Sequence, residues 1–198
     1  MKHQTNPMAN KAAPRISSLF LGFALLSMTS FSSVAADTPK MSELLDNNGF
    51  QTLLFALQVT ELTSALDNNK VTVFGPTDDV FDATAELLGC ESAVDLAEKL
   101  LAIDVDGTDA LTYVLTYHVY LGKLKDPRSI LTAGTLETAN GMDIIAGTGM
   151  YGQNVKGLVN AEPSNITTAA FKAKRGSTLY GIDSILLPID PTGVCGES

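Results

Sequence analysis

His118 is the side chain best suited to acid–base or metal chemistry in this sequence, since the other histidine, His3, lies at the amino end. A catalytic histidine works with a nucleophile and an orienting acid, and the sequence offers no Gly-X-Ser-X-Gly motif and no plausible cysteine nucleophile. A single histidine cannot build a zinc site without unusual help. We therefore predict that Tyr117 and His118 pack between a helix and a sheet with their polar atoms hydrogen-bonded. A role for His118 as a base or metal ligand is the alternative. The predicted set of catalytic, cofactor-binding and metal-binding residues is empty.

A second candidate for chemistry is the acidic segment from Asp104 to Asp109, whose carboxylates invite a calcium interpretation. Its glycine is the fourth residue, whereas a calcium-binding EF-hand loop has glycine at the sixth position and a bidentate glutamate at the twelfth. The twelfth residue here is Leu115. Capping of the following helix by Asp106 or Thr108 explains the cluster without a metal ion. Calcium is kept as the alternative.

The first 35 residues have the pattern of a secretory signal peptide. Residues 1–15 carry three basic and no acidic side chains, residues 16–31 are largely apolar, and small residues precede Ala36. The alternative is a transmembrane anchor, but that needs about 20 predominantly apolar residues, and polar residues dilute the run after Leu26. We predict cleavage after Ala35, a short lead at 36–40, and a secreted or periplasmic protein whose mature chain has no membrane span.

Cys90 and Cys195 are the only cysteines in the chain. An even pair in an exported protein favours a disulfide, and both residues lie in glycine-flanked segments that can adjust to meet each other. Two unrelated thiols are the alternative. We predict a Cys90–Cys195 disulfide, with Cα atoms within about 7 Å of each other.

The charge of the chain argues against nucleic acid as a partner. Its formal net charge is −9. The charged side chains of the predicted signal peptide are all basic, so the mature chain would be more acidic still. Phosphate binding needs clustered lysine and arginine. The short cluster of Lys172, Lys174 and Arg175 alternates with Ala173, which predicts one solvated face of a strand.

The elements that must position these residues change in character along the chain. From Met41 to Val119, apolar residues at spacings of three and four predict successive helices, one of them capped by Ser92. From Lys123 to Pro188 the chain is rich in Thr, Val, Ile and Gly, and Asn140-Gly141 predicts a hairpin. Helices first and strands later predict an α+β domain with its N-terminal helices packed on a mostly antiparallel sheet.

Two short segments identify this domain further. In the first, a strand-like run ends at Gly75-Pro76, Thr77 is placed to cap a helix, Asp78 and Asp79 follow in its first turn, and Phe81 is an apolar helix position. We expect the Thr77 hydroxyl to accept a hydrogen bond from Asp79 or Val80 N–H. In the second, Leu179–Pro188, which includes Ile182 and Asp183, the sequence indicates a buried strand closed by Pro188.

These segments resemble the two signature boxes of the fasciclin domain family. The likeness covers residues 41–188, and Leu115-Thr116-Tyr117-His118-Val119 resembles the central Tyr-His box of that family. The resemblance implies a fasciclin-like domain followed by a tail at 189–198. It makes a signature scaffold of six residues: Thr77, Asp78, Phe81, Ile182, Asp183 and Pro188. Its candidate interaction residues are Leu115, Tyr117, His118 and Val119, and adhesion has also been tied to the position of Leu121.

The function implied by the resemblance is non-enzymatic adhesion. A fasciclin-like module would bind an extracellular matrix protein, a polysaccharide or a partner cell surface, without a cofactor. Some relatives carry an aspartate before the last strand that is linked to integrin recognition, but residues 168–172 contain none, which makes that mode of binding doubtful. A small secreted hydrolase-like enzyme with an unrecognised site is the alternative. Asn165-Ile166-Thr167 is a glycosylation sequon if the exporting cell glycosylates.

Overall fold

The computed structural model describes residues 37–147 and 153–196. The predicted signal peptide and its cleavage site lie outside these residues. Within the described ranges, no helix is both long and apolar enough to cross a bilayer.

The helical elements are concentrated in the first half of the described chain. The α-helices are α1 Met41–Asn47, α2 Gln51–Val59, α3 Thr63–Asn68, α4 Asp78–Leu87, α5 Ala93–Leu101, α6 Ala110–Tyr117 and α7 Pro127–Leu131. The strands are β1 Thr72–Pro76, β2 Asp104–Val105, β3 Thr108–Asp109, β4 Val119–Tyr120, β5 Thr135–Glu137, β6 Asp143–Ala146, β7 Asn154–Lys156, β8 Ser164–Asn165, β9 Phe171–Lys172 and β10 Thr178–Ile182. A 3₁₀ turn at Lys174–Gly176 separates the last two strands.

Two four-stranded sheets form the β part of the domain. The first has the order β4-β1-β10-β9 and the second the order β5-β6-β7-β8, while β2 and β3 form a separate hairpin. The predicted Asn140-Gly141 hairpin is confirmed as the antiparallel pair of β5 and β6. The pairing is antiparallel except between β1 and β10, which are parallel with Phe74 opposite Tyr180. The α+β fold with a mostly antiparallel sheet is therefore confirmed.

The central strands β1 and β10 are buried on both faces. Val73 and Leu179 belong to the apolar cluster that the helices form against the sheet. Phe74 and Tyr180 belong to the cluster between the two sheets, and their rings stack with centroids 6.1 Å apart. Burial on both faces explains why these segments are continuous apolar runs rather than alternating ones. The two signature segments, about a hundred residues apart in the chain, thus form one central unit.

Two of the predicted element ends are wrong. The last strand ends at Ile182, because the chain then bends, and Pro188 is buried beyond the strand instead of closing it. The run of Lys172, Lys174 and Arg175 is not one strand face, since β9 ends at Lys172 and Arg175 turns the chain with a φ of 61°.

Of the helix caps predicted from the sequence, that of α5 is confirmed and that of α6 is wrong. Ser92 caps α5 by accepting a hydrogen bond from Asp95 N–H at 3.1 Å, as predicted. The cap of α6 is Asp109, which accepts from Thr112 N–H at 2.7 Å, and not Asp106 or Thr108. Asp106 is used instead in the turn between β2 and β3, where its φ is 53°.

Candidate functional site

The Tyr-His box lies at the end of α6 and is part of the core. Tyr117 is the last residue of the helix and His118 its C-cap. The exposed fractions of the four candidate interaction residues range from 0% for Tyr117 to 6% for Val119, with Leu115 and His118 between them. In the described fold these four side chains therefore expose almost no surface to a partner.

Both ring nitrogens of His118 are bound to backbone groups. Nδ1 lies 2.8 Å from the carbonyl oxygen of Val114, and Nε2 accepts a hydrogen bond from Leu186 N–H at 2.9 Å. A carbonyl only accepts and an N–H only donates, so the proton must be on Nδ1 and the ring must be neutral. Burial lowers the pKa of His118 to about 4, although the bond to Val114 opposes this effect. The imidazole therefore holds the C-terminal segment to α6 and has no nitrogen left for a substrate or metal.

Tyr117 makes the second connection of the box, toward the second sheet. Its hydroxyl donates to the carbonyl of Asp143 at 2.8 Å and accepts from Leu158 N–H at 2.9 Å. Burial raises the pKa of Tyr117, so the hydroxyl stays protonated and able to donate. Tyr117 and His118 together join α6 to strand β6, to the loop after β7 and to the C-terminal segment.

Thr77 occupies the N-cap position of α4 but does not cap it with its side chain. No side-chain cap hydrogen bond is present, so the expected bond from Asp79 or Val80 N–H to the Thr77 hydroxyl is wrong. The Thr77 carbonyl accepts from Val80 and Phe81 N–H instead, at 3.0 and 3.1 Å. Phe81 is buried in the helical cluster.

Asp78 connects two helices, which the sequence did not reveal. Its carboxylate accepts hydrogen bonds from Gln51 and Thr52 N–H at 3.1 and 2.7 Å, while its own N–H donates to the Gly49 carbonyl at 3.0 Å. The charge of Asp78 thus lies at the N-terminus of α2, where the orphan N–H groups and the helix dipole favour an anion. Spacing along one helix could not have indicated this contact, because its partner lies 26 residues earlier.

Asp183 makes the corresponding connection between the two sheets. Its carboxylate accepts from the backbone N–H and the side-chain amide of Asn165 at 2.7 and 2.8 Å. Ile182, directly before it, is fully buried and ends β10. The Ile182-Asp183 pair therefore fixes the last strand of the first sheet to β8 of the second.

The predicted disulfide between Cys90 and Cys195 is confirmed, with a Cα–Cα distance of 5.1 Å. It fastens the C-terminal segment to the loop between α4 and α5, and Ile189 and Val194 of that segment pack against the helical cluster. Asp95 lies close to both sulfur atoms, a grouping that could hold a metal ion if the thiols were free. Because the two sulfurs are bonded to each other, they are not thiolate ligands here.

A small apolar groove lies beside the Tyr-His box, on its exposed side. Its volume is about 90 Å³, and it is formed by residues of α2, α3 and the turn between them, by residues in and beside β4, and by Val71 before β1. We call it the Leu121 groove; its principal walls are Leu57, Leu62, Leu66, Val71, Val119 and Leu121. Leu121 is 66% exposed at its edge. The sequence pointed to Val119 and Leu121 but not to Leu57, Leu62 and Leu66, which only the tertiary fold brings to this site.

Comparisons with known proteins agree with this geometry. The model of the fasciclin domain family matches residues 48–188. A solved structure of a FAS1 domain pair from the insect cell adhesion molecule fasciclin I is similar with a TM-score of 0.56 and 13% identity. That likeness covers 75% of this chain and 51% of that one, so this chain spans about half the length of its structural neighbour and shares its fold. Comparison with curated proteins gave no match. The family match covers most of the chain and includes both signature segments and the Tyr-His box, and the protein belongs to the fasciclin domain family.

Proposed function

We propose that this protein is a non-enzymatic adhesion module that works outside the cytoplasm, in the extracellular space or periplasm. Among the partners expected for such a module, we favour a matrix or cell-surface protein that inserts an apolar side chain into the Leu121 groove. The observation that carries this proposal is the exposure of Leu121 beside an apolar groove at the Tyr-His box.

The buried Tyr-His box packs beneath the Leu121 groove and contributes to its wall. Val119 lines the groove from strand β4, directly after the hydrogen-bonded His118. A few side chains that fill well-packed, desolvated pockets supply most of the binding free energy in protein interfaces. Leu115, Tyr117, His118 and Val119 would then act on binding by positioning the groove and not by touching the partner.

The location outside the cytoplasm is supported by two observations. The Cys90–Cys195 disulfide is of a kind that persists in oxidising compartments and is rare in the cytosol. The structural neighbour is a cell adhesion molecule. The predicted signal peptide completes this proposal, and N-terminal sequencing of the exported protein should start near Ala36.

The surroundings of His118 argue against the hydrolase alternative. His118 is buried, and both of its ring nitrogens are bound to backbone groups. A general base must instead be able to reach a proton of the substrate. A screen with common ester, peptide and glycoside substrates is still the direct test. Substrate turnover that co-purifies with the protein would support this alternative.

The experiment that tests the adhesion proposal compares two leucines of equal exposure. Leu121 and Leu158 are both 66% exposed, but Leu158 does not line the Leu121 groove. We expect Leu121→Asp to weaken attachment of cells, or capture of matrix proteins, to surfaces coated with the protein by at least about tenfold. Leu158→Asp should leave attachment unchanged. Equal attachment by both variants, or equal loss in both, would show that the groove does not carry the function.

A further inference from the structure

Half of the basic side chains in the described part of this acidic protein line one groove. The chain has 22 acidic and 13 basic residues, and 10 of the basic residues fall between positions 37 and 196. Five of these 10 line an open groove of about 790 Å³ between the start of α1, the helix α3 and the turn after β9. We call it the basic groove, and its cations are Lys40, Lys123, Lys172, Lys174 and Arg175. The fold thus concentrates positive charge on one surface of a chain with a net charge of −9.

The two carboxylates on the walls of the basic groove are already engaged. Asp37 Oδ2 lies 2.6 Å from Lys174 Nζ. Asp67 accepts hydrogen bonds from the N–H and the hydroxyl of Ser42 at 2.9 and 2.8 Å. Among the described residues, no carboxylate lies within ion-pair distance of the other four cations. The groove therefore presents four positive charges that no ion pair within this part of the chain neutralises.

The turn after β9 holds these cations close together. Gly176 has a φ of 78°, and Lys123 Nζ lies over this turn, 2.7 Å from the place where a Cβ of residue 176 would stand. Partial burial and then the charge of Lys123 lower the pKa of Lys172, against the opposite influence of Asp126. Like charges kept this close cost free energy, and an anion placed between them would recover it.

The other groups on the walls indicate which kind of anion fits. Thr38, Ser64 and Asn68 supply hydroxyl and amide groups, and the described walls carry no aromatic or large aliphatic side chain. Protein partners are usually anchored by such side chains in a pocket, and single-stranded nucleic acids by stacking on aromatic rings. A chain of hydroxylated sugars with a carboxylate on each unit needs neither of these features. Its charges are also spaced more widely than those of duplex DNA, which lessens its repulsion by the acidic remainder of the surface.

We propose that the basic groove binds an anionic polysaccharide of the polyuronate type. The carboxylates of successive sugars would lie against Lys123, Lys172 and Arg175, while the sugar hydroxyls exchange hydrogen bonds with Ser64 and Asn68. No residue lines both this groove and the Leu121 groove. The proposal therefore goes beyond the protein-binding function and can fail or succeed independently of it.

The test is calorimetric titration of the protein with polygalacturonate at 50 and 200 mM salt. The double variant Lys123→Gln/Lys172→Gln should bind at least about tenfold more weakly, with a shallower dependence on salt, because fewer counterions are released. The matched control, Lys99→Gln/Lys156→Gln, removes the same net charge outside the groove and should bind like the unchanged protein. Lys99 pairs with Asp95, and Lys156 donates to the carbonyl of Ala161. Neither lysine lines the basic groove.

Further arms of the titration separate a sugar site from a general attraction to anions. Neutral dextran should not bind, and polyglutamate and duplex DNA should bind at least about tenfold more weakly than polygalacturonate. Melting curves check that the variants are folded. If the double variant melts early, the titration is repeated with Lys40→Gln, because Lys40 lines the groove and is exposed. The proposal is overturned if polygalacturonate does not bind, if both double variants lose affinity equally, or if polyglutamate or DNA binds as tightly.

Discussion

The neutral state of His118 should make the stability of this protein depend on pH in a way that one substitution removes. The native state holds the imidazole with a pKa of about 4, against an ordinary value of 6.5. Between pH 6.5 and pH 4 the unfolded chain therefore binds a proton that the native protein does not, and the free energy of unfolding falls as the pH falls. The contribution is complete above pH 6.5 and is lost as the pH approaches 4.

The magnitude follows from the difference between the two pKa values. Each pKa unit corresponds to about 1.4 kcal/mol, so the contribution of His118 at pH 7 is roughly 3 kcal/mol relative to pH 4. The structural cause is the Nε2 acceptor that binds Leu186 N–H, since a protonated ring would turn a second N–H toward that donor.

The assay is urea unfolding of the wild-type protein and of His118→Gln at several pH values between 7 and 4.5. The glutamine cannot titrate, and the carboxylates that titrate in both proteins cancel in the difference. We expect the wild-type protein to lose roughly 2–3 kcal/mol more than the variant over this interval. An NMR titration of the native imidazole provides a second measurement if the variant is unstable. Parallel pH profiles of the two proteins, together with an imidazole pKa near 6.5, would refute the reasoning.

Three further predictions concern contacts described above. Asp78→Ala should lower the free energy of unfolding by about 2 kcal/mol, because two backbone N–H groups of α2 lose a charged acceptor, whereas Thr77→Ala should change it by less than about 0.5 kcal/mol. Urea melts of both variants would contradict this if their order were reversed. Replacing Cys90 and Cys195 by serine should cost up to about 4.7 kcal/mol in the chain-entropy model, and a stability equal to that of the oxidised protein would argue against it. Tyr117→Phe should cost about 2 kcal/mol, measured by thermal melting, since one buried hydroxyl satisfies two backbone groups.

The fold was predictable where local patterns determine it. The helical first half, the Asn140-Gly141 hairpin and the Ser92 cap all depend on residues within a few positions of one another. The resemblance to the fasciclin family also depended on short segments. The parallel pairing of β1 with β10 was not predicted, because a periodic pattern records whether a strand is buried and not which strand lies beside it.

The candidate sites were less predictable, because their residues meet only in the tertiary structure. Tyr117 and His118 were expected in the core, and the structure places them there, but their partners Leu158 and Leu186 lie far along the chain. The basic groove was the least visible feature, since Lys40 and Lys123 join the Lys172–Arg175 segment from distant positions. The spacing of Lys172, Lys174 and Arg175 therefore predicted a strand face, whereas these residues are part of a larger cationic surface.

The disulfide also decides how the protein would carry a mechanical load. Tension applied to the chain beyond Cys195 passes through the disulfide to Cys90, and does not peel β10 or the segment after it from the sheet. The cysteines are 105 positions apart, so roughly 350 Å of extended chain stays locked inside the covalent ring when the domain yields. A stretched molecule would lengthen only by the residues outside the covalent ring. Reduction of the disulfide would release the chain between Cys90 and Cys195 in one step.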